Sequence, residues 1–246
     1  VKVPILRSEP GASAMARALS QAGYRTSVRP LLKIVPLPES PETLETVCNL
    51  HRYDDIISVS AHASRLLCQR LGYHRISPVA GSRWLAVGPG SASALAPLAA
   101  EVVVPARGNG SQALLDTMAL QSVAKRRILI CRGRGGLGIL TDTLSRHGAS
   151  VDQLVLYERI VDTEVQTSIG CIPIQDIDAL VVSSGRILEA LCMSRPANQW
   201  RATVLAPSSR VARLACRAGF HQVHNCDGAS AGHILTALAH LGKPGK

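Results

Sequence analysis

Residues 133–138, Gly-Arg-Gly-Gly-Leu-Gly, form a G-x-G-x-x-G run between an apolar segment and an amphipathic one, and Glu158 lies twenty positions beyond Gly138. In a dinucleotide-binding turn this pattern lets backbone N–H groups receive a pyrophosphate while the acid receives a ribose. The matching stretch of the first half, Leu6-Arg7-Ser8-Glu9-Pro10-Gly11, lacks such glycines. A dinucleotide-binding oxidoreductase is therefore the lesser alternative. The plainer reading is a tight strand–helix turn whose amides can cradle any anion. Ser/Gly-rich turns recur at Ser58 to Ser64, Gly88 to Ser93, Ser183 to Gly185 and Pro207 to Ser209. Helix N-capping explains any one of them, but four in two paired copies point to a shared anion-binding rim.

Basic residues concentrate at Lys125-Arg126-Arg127, Arg132 and Arg134, with no acid from Thr117 to Thr141. Arg132 ends an apolar run beside the glycine turn, as Arg7 does in the first half. Arg210, Arg213 and Arg217 share one helical face and read as a solvated surface. Tyr157, next to Glu158 and Arg159, is a phenol in an extended segment. Near cationic groups a phenol can give its proton to a leaving hydroxyl; the plain alternative is a half-buried strand tyrosine. His221-x-x-His224 has no carboxylate or thiolate to complete a metal set, and neither G-x-S-x-G nor H-E-x-x-H occurs.

The elements that must position these groups alternate between strand and helix. Strands are expected at 3–7, 56–60, 84–87, 101–104, 127–131, 153–157, 179–183, 203–206 and 222–225. Helices are expected at 10–22, 61–71, 90–99, 111–119, 136–147, 184–193, 208–218 and 231–241, with Gly23, Gly72, Gly148 and Gly219 just past helix ends. Such alternation means βαβ units and parallel sheets. The chain also repeats itself: Ile5-Leu6-Arg7-Ser8 and Gly23 correspond to Ile130-Cys131-Arg132-Gly133 and Gly148 at a constant offset of 125. Asp54-Asp55-Ile56-Ile57-Ser58-Val59-Ser60 is echoed by Asp178-Ala179-Leu180-Val181-Val182-Ser183-Ser184, and Leu85 to Ser91 by Val204 to Ser209. The expected fold is thus two similar parallel-sheet α/β domains joined by a two-stranded hinge, with a cleft between them. Leu31 to Pro38 and Leu154 to Val161 are the natural connectors.

Composition narrows the partners. The chain has 246 residues and a net charge of +10, with 46% hydrophobic and only 3% aromatic residues; its mean hydropathy is +0.16. That excess of positive charge attracts polyanions. Single-stranded nucleic acid needs aromatic stacking platforms as well, and seven scattered aromatics favour a small polyanion instead. No run approaches the ~18 apolar residues of a membrane span, and no secretory signal is visible at the N-terminus. Seven cysteines without a C-x-x-C pair suit a reducing cytosol.

Together these residues resemble the uroporphyrinogen-III synthase family of tetrapyrrole (haem) biosynthesis. The resemblance rests on Leu6-Arg7-Ser8-Glu9-Pro10, Tyr53-Asp54 followed by Ser60-Ala61, and Ala86-Val87-Gly88-Pro89-Gly90-Ser91. It continues through Pro105, Ser111-Gln112-Ala113-Leu114-Leu115, and Arg132-Gly133 with Gly136 followed by Tyr157-Glu158-Arg159. Departures stand at Val59, His62, Leu137 and Ala206, where the family has Thr, Asn or Arg, a frequent Arg, and Gly. The resemblance implies a lyase that cyclises hydroxymethylbilane to uroporphyrinogen III, with ring D inversion and loss of water and without cofactor or metal. It implies that Tyr157 assists departure of the hydroxyl. Arg7, Ser60, His62, Ser91, Arg132, Ser184 and Ser209 would hold carboxylates, of which the substrate has eight. It further implies a cytoplasmic monomer, with substrate handover from the preceding pathway enzyme as an expectation and no nucleic-acid or membrane partner. The domains would be 1–33 plus 168–246 and 42–153, with linkers 34–41 and 154–167. The competing class is a non-catalytic two-lobed binder of a small polyanion.

Overall fold

The computed structural model describes residues 1–9, 11–77, 81–108, 110–136 and 138–242. Pro10 and Leu137, singled out above, lie outside the described residues. In chain order the elements begin β1 (Lys2–Ile5), α1 (Gly11–Gln21), β2 (Arg25–Val28), β3 (Leu32–Pro36), α2 (Pro41–Cys48), β4 (Asp55–Ser58) and α3 (Ala61–Tyr73). They continue β5 (Arg83–Ala86), α4 (Pro89–Leu95), α5 (Ser111–Leu115), β6 (Arg127–Gly133), α6 (Ile139–Arg146), β7 (Ser150–Val161) and α7 (Thr163–Gly170). The remainder is β8 (Ala179–Val181), α8 (Gly185–Ser194), β9 (Thr203–Ala206), α9 (Ser209–Ala218), β10 (Val223–Asn225) and α10 (Ala231–His240).

Two compact units form, Val1–Lys33 with Ile160–Lys246, and Ile34–Arg159. The first carries a sheet in the order β10-β9-β8-β1-β2, all parallel. The second carries β3-β7-β6-β4-β5, with β7, β6, β4 and β5 parallel. Val103 adds an isolated parallel bridge outside β5, to Leu85. From that bridge inward, the second sheet runs 103-β5-β4-β6-β7 and matches β10-β9-β8-β1-β2 position for position. The offset of 125 aligns β1 with β6, as this match requires. Chain order differs: the first unit begins with its β1–β2 pair, whereas the second unit ends with the equivalent β6–β7.

The strand expected at 101–104 is thus the weak counterpart of β10. It is reduced to one bridge because Pro105 has no N–H with which to continue a ladder. Of the expected linker 154–167, Leu154–Val161 is the second half of β7 and Thr163 opens α7. Of 34–41, the first residues belong to β3. The Asp162 N–H donates to the Leu31 carbonyl, and the Leu37 N–H donates to the Leu156 carbonyl. Because the numbers run in opposite directions, β3 and β7 are antiparallel. Helix α2, not anticipated, starts at Pro41 in the first turn behind Ser40, whose side chain accepts the Thr43 N–H. Gly23, Gly148 and Gly219 do take positive φ, but Gly72 lies inside α3 and Arg75 turns left-handed instead (φ 55°).

Each sheet is covered on both faces, and strand alternation divides its side chains between two cores. In β8 and the residue after it, Ala179 and Val181 enter one core while Leu180 and Val182 enter the other. In β6, Leu129 and Cys131 face one core, Ile128 and Ile130 the other. Six of the seven aromatics are buried and only Tyr73 is exposed, so they pack the cores rather than form a stacking platform. At the amino ends of the second sheet, Asp55 is fully buried. Arg83 and Arg126 each grip it with two hydrogen bonds of 2.6–3.1 Å. A buried carboxylate so satisfied is tolerated, whereas removing one partner costs about 3–5 kcal/mol. The basic cluster of the sequence is therefore split. Arg126 and Arg127 serve the amino edge, and only Arg132 and Arg134 reach the carboxyl edge.

Candidate functional site

In an open parallel sheet the strand order reverses at one point, and ligands gather outside the carboxyl ends of the strands there. In the second unit that point lies between β4 and β6, and a cavity of about 430 Å³ opens beside it. Val59, Ile130, Ile139 and Leu140 form its apolar wall; Ser111, Gln112, Thr141, Arg132, Tyr157 and Arg159 supply polar groups.

Tyr157 reaches this corner because the β6–β7 register shifts between Arg132 and Gly133, so that Gly133 stands opposite Tyr157. A bulge of this kind re-aims a side chain. The Tyr157 ring lies directly on Gly133: a Cβ there would sit 2.5 Å from Cε2 and Cζ of the ring. Gly135 and Gly136 have positive φ (75° and 95°), and Arg132 ties the loop together through the carbonyls of Gly133 and Gly135 and through Gln153 Oε1. Glu158 accepts from Arg134 Nη1 at 3.3 Å. The glycine motif and its distant acid are thus each accounted for by local geometry, which removes the reason to read them as a dinucleotide site.

The Tyr157 hydroxyl is buried with its ring, 1% exposed. It lies 3.0 Å from Ser60 Oγ and accepts a hydrogen bond from Arg159 Nη2 at 3.0 Å. The Arg159 guanidinium carbon is 5.3 Å from the ring centroid, and His62 approaches edge-on at 5.9 Å. Ser60 is also the N-cap of α3, accepting the Ala63 N–H at 3.1 Å, so one oxygen fixes a helix end and touches the phenol. Sequence reasoning missed the part of Arg159 in this contact. The signal was available, since strand residues two apart share a face. Ser111, Gln112 and Thr141 were also missed; they come from α5 and α6, whose approach to β6 is a tertiary matter.

Tyr53 belongs to the same unit and contrasts with Tyr157. Its phenol donates to Asp152 Oδ2 at 2.9 Å. Burial, and then the carboxylate partner, push its pKa up to about 12, which makes it a fixed neutral donor. The Cys131 thiol is likewise pushed up to about 12, by burial, and all seven cysteines are free.

The other expected ligands are dispersed. Ser91 is buried in the first turn of α4, where its carbonyl accepts from Ser64 Oγ at 2.9 Å, and it does not line the cavity. In the first unit, Arg7 Nη1 donates to the Ala229 carbonyl at 2.9 Å, beside a void of only about 10 Å³. Ser184 caps α8 through the Ile187 N–H. Ser208, not Ser209, caps α9, while Ser209 accepts from Asn225 Nδ2 at 3.2 Å. The structure therefore brings Ser60, His62 and Arg132 together with Tyr157. It leaves Arg7, Ser184 and Ser209 on the rim of the other sheet. Among the described residues no group of three or more His, Cys, Asp or Glu could hold a metal ion, and no helix is long and apolar enough to cross a membrane.

A family model described as uroporphyrinogen-III synthase HemD matches residues 13–236. The chain is 30% identical over 250 residues to the uroporphyrinogen-III synthase of Salmonella typhimurium, covering 97% of this chain and 100% of that one. It is 26% identical over 252 residues to that of Escherichia coli, with the same coverage. Among solved structures, the uroporphyrinogen-III synthetase of Helicobacter pylori superposes with a TM-score of 0.64 at 14% identity, over 98% of this chain and 99% of that one. A mutant uroporphyrinogen III synthase of Thermus thermophilus gives 0.62 at 20% identity, over 99% of each. At these identities the superpositions speak to the fold.

Proposed function

The chain belongs to the uroporphyrinogen-III synthase family, enzymes that cyclise hydroxymethylbilane, and we propose that it performs this lyase reaction with Tyr157 as the proton donor to the departing hydroxyl. The observation that carries the assignment of Tyr157 is a buried phenol on the wall of a cavity of about 430 Å³, hydrogen-bonded to Ser60 and Arg159. The terminal hydroxymethyl C–O bond breaks, and its electron pair leaves with the oxygen, which takes the phenolic proton and departs as water. The pyrrole nitrogen lone pair fills the vacancy and gives an azafulvene. Attack by the substituted carbon of ring D forms a spiro-pyrrolenine; fragmentation and reclosure then invert that ring. The chain's part in the later steps is positioning, holding a flexible substrate so that its ends meet.

In this reading Arg132, Ser60 and His62 receive substrate carboxylates beside Tyr157. Arg7, Ser184 and Ser209 do so at the rim of the first sheet, Ser91 supporting through α4. Charge-assisted bonds from Arg and from helix N-termini suit carboxylates, and the net charge of +10 draws in a polyanion. The free thiols suit a reducing cytoplasm. We take the chain to act there as a monomer, on substrate handed over by the enzyme that makes it.

The test is to supply freshly made hydroxymethylbilane with and without the protein and to separate the oxidised porphyrin isomers. Isomer III is the expected product. Only the spontaneous isomer I, from folded protein, would contradict the assignment and favour a non-catalytic polyanion binder.

A further inference from the structure

Arg159 places a charged donor, Nη2, 3.0 Å from the Tyr157 oxygen. We propose that Arg159 is a positioning residue that, with Ser60, cradles the charge left on the Tyr157 oxygen when its proton goes to the departing hydroxyl. The inference rests on Tyr157 being the proton donor.

The argument follows from counting hydrogens. A phenol has one proton and an oxygen that can accept; a guanidinium has donors only. The bond from Arg159 Nη2 at 3.0 Å therefore consumes an acceptor site of the phenolic oxygen and leaves its proton unspent. Ser60 Oγ, 3.0 Å away, already accepts the Ala63 N–H, and its own hydrogen is free to turn toward the phenol. In that arrangement the phenolic oxygen accepts from both neighbours, and its proton stays unspent on a residue that lines the cavity.

When the C–O bond of the substrate breaks and the leaving oxygen takes that proton, both donors already face the new phenolate. The bond from Arg159 then joins two charges and strengthens. Because this gain arises as charge develops, it lowers the barrier without tightening the substrate complex. The phenolate regains a proton when the ring carbon of the reclosed product loses one, so the cycle returns the enzyme unchanged and loses one water.

Merely holding the ring in place is the competing role, since the Arg159 guanidinium also packs 5.3 Å from the ring centroid. A double-mutant cycle separates the two. Arg159→Met keeps an apolar stem and removes the donors; it is expected to lower kcat about 10²-fold with KM for hydroxymethylbilane within about twofold. In a Tyr157→Phe background the same change is expected to lower kcat by no more than about twofold further, because the charge it serves never forms. As a second variant, Arg159→Ala is expected to regain kcat with millimolar guanidinium when Tyr157 is present and not when Phe replaces it. Equal losses in both backgrounds, or an effect on KM alone, would overturn the cradle while leaving Tyr157 as donor. If Tyr157→Phe itself leaves kcat intact, the donor assignment and the cradle fall together.

Discussion

At the carboxyl edge of the first sheet, Arg7 follows β1 and folds onto the Ala229 carbonyl over a void of about 10 Å³. At the matching edge of the second sheet, Arg132 ends β6 beside a cavity of about 430 Å³, and β7 lays Tyr157 across Gly133. Both corners share a strand order, a strand-end arginine and a serine-capped helix, α8 behind Ser184 and α3 behind Ser60. The difference lies in one bulge and one phenol. On the proposed reading a duplicated frame supplies carboxylate-binding donors twice, whereas the phenol that gives a proton is built once. The first corner should therefore act on substrate affinity and the second on turnover.

Glycine substitutions sharpen this contrast most. A Cβ at Gly133 meets the Tyr157 ring at 2.5 Å, and the ring, packed in a core, must move. Gly133→Ala is expected to lower kcat about 10²-fold, the order of loss for an ångström of misplacement, with a smaller effect on KM in steady-state kinetics. At Gly11 the obstruction is Arg7 Nη2 at 2.8 Å, the far end of a flexible chain, so Gly11→Ala should change KM by no more than about threefold and leave kcat alone. Equal effects from the two alanines would break the comparison.

Arg7→Ala comes next. Loss of one charge-assisted bond, on the order of 1.5 kcal/mol or more, is expected to raise KM about tenfold with kcat within twofold. A fall in kcat of that size would mean the first corner takes part in the chemistry. The smallest effect concerns Tyr53, the phenol bound to a carboxylate. Tyr53→Phe should leave turnover unchanged and cost about 1 kcal/mol of stability near neutral pH, read from denaturant unfolding. The Tyr53 pKa is raised from an ordinary 10.0 to about 12 in the folded chain. Its stabilisation is thus complete below pH 10 and is lost as pH rises toward 12. The gap between wild type and Tyr53→Phe should close over that interval, and a constant gap would deny the shift.

Much of this frame was legible in the sequence, because parallel strands buried on both faces read as short apolar runs and because the second copy repeats their landmarks. The place of Tyr157 beside a cationic group was legible from its neighbours, and its contact with Arg159 from strand alternation, had the face been followed. The reason for the glycine motif was not legible. The contact of Gly133 with Tyr157 spans two strands and depends on a one-residue register shift that periodicity does not reveal. The division of the basic residues could have been read from the expected strand at 127–131: at about 3.3 Å per residue, β6 from Arg127 to Gly133 sends its two basic ends to opposite edges of the sheet. Ser208 and Ser209 differ by one position, and only backbone geometry selects Ser208 as the cap. Helices α2 and α7 each bury a single residue, Val47 and Ile169, which leaves no apolar periodicity to declare them.

The most direct test of the central claim is the turnover of Tyr157→Phe, measured beside wild type on freshly made hydroxymethylbilane with isomer III as the readout. The expected result is a kcat about 10²–10⁴-fold lower, the range for losing a general acid, with KM within about twofold and an unchanged melting temperature. Wild-type kcat in the folded variant would contradict the account and move the proton transfer away from the second corner.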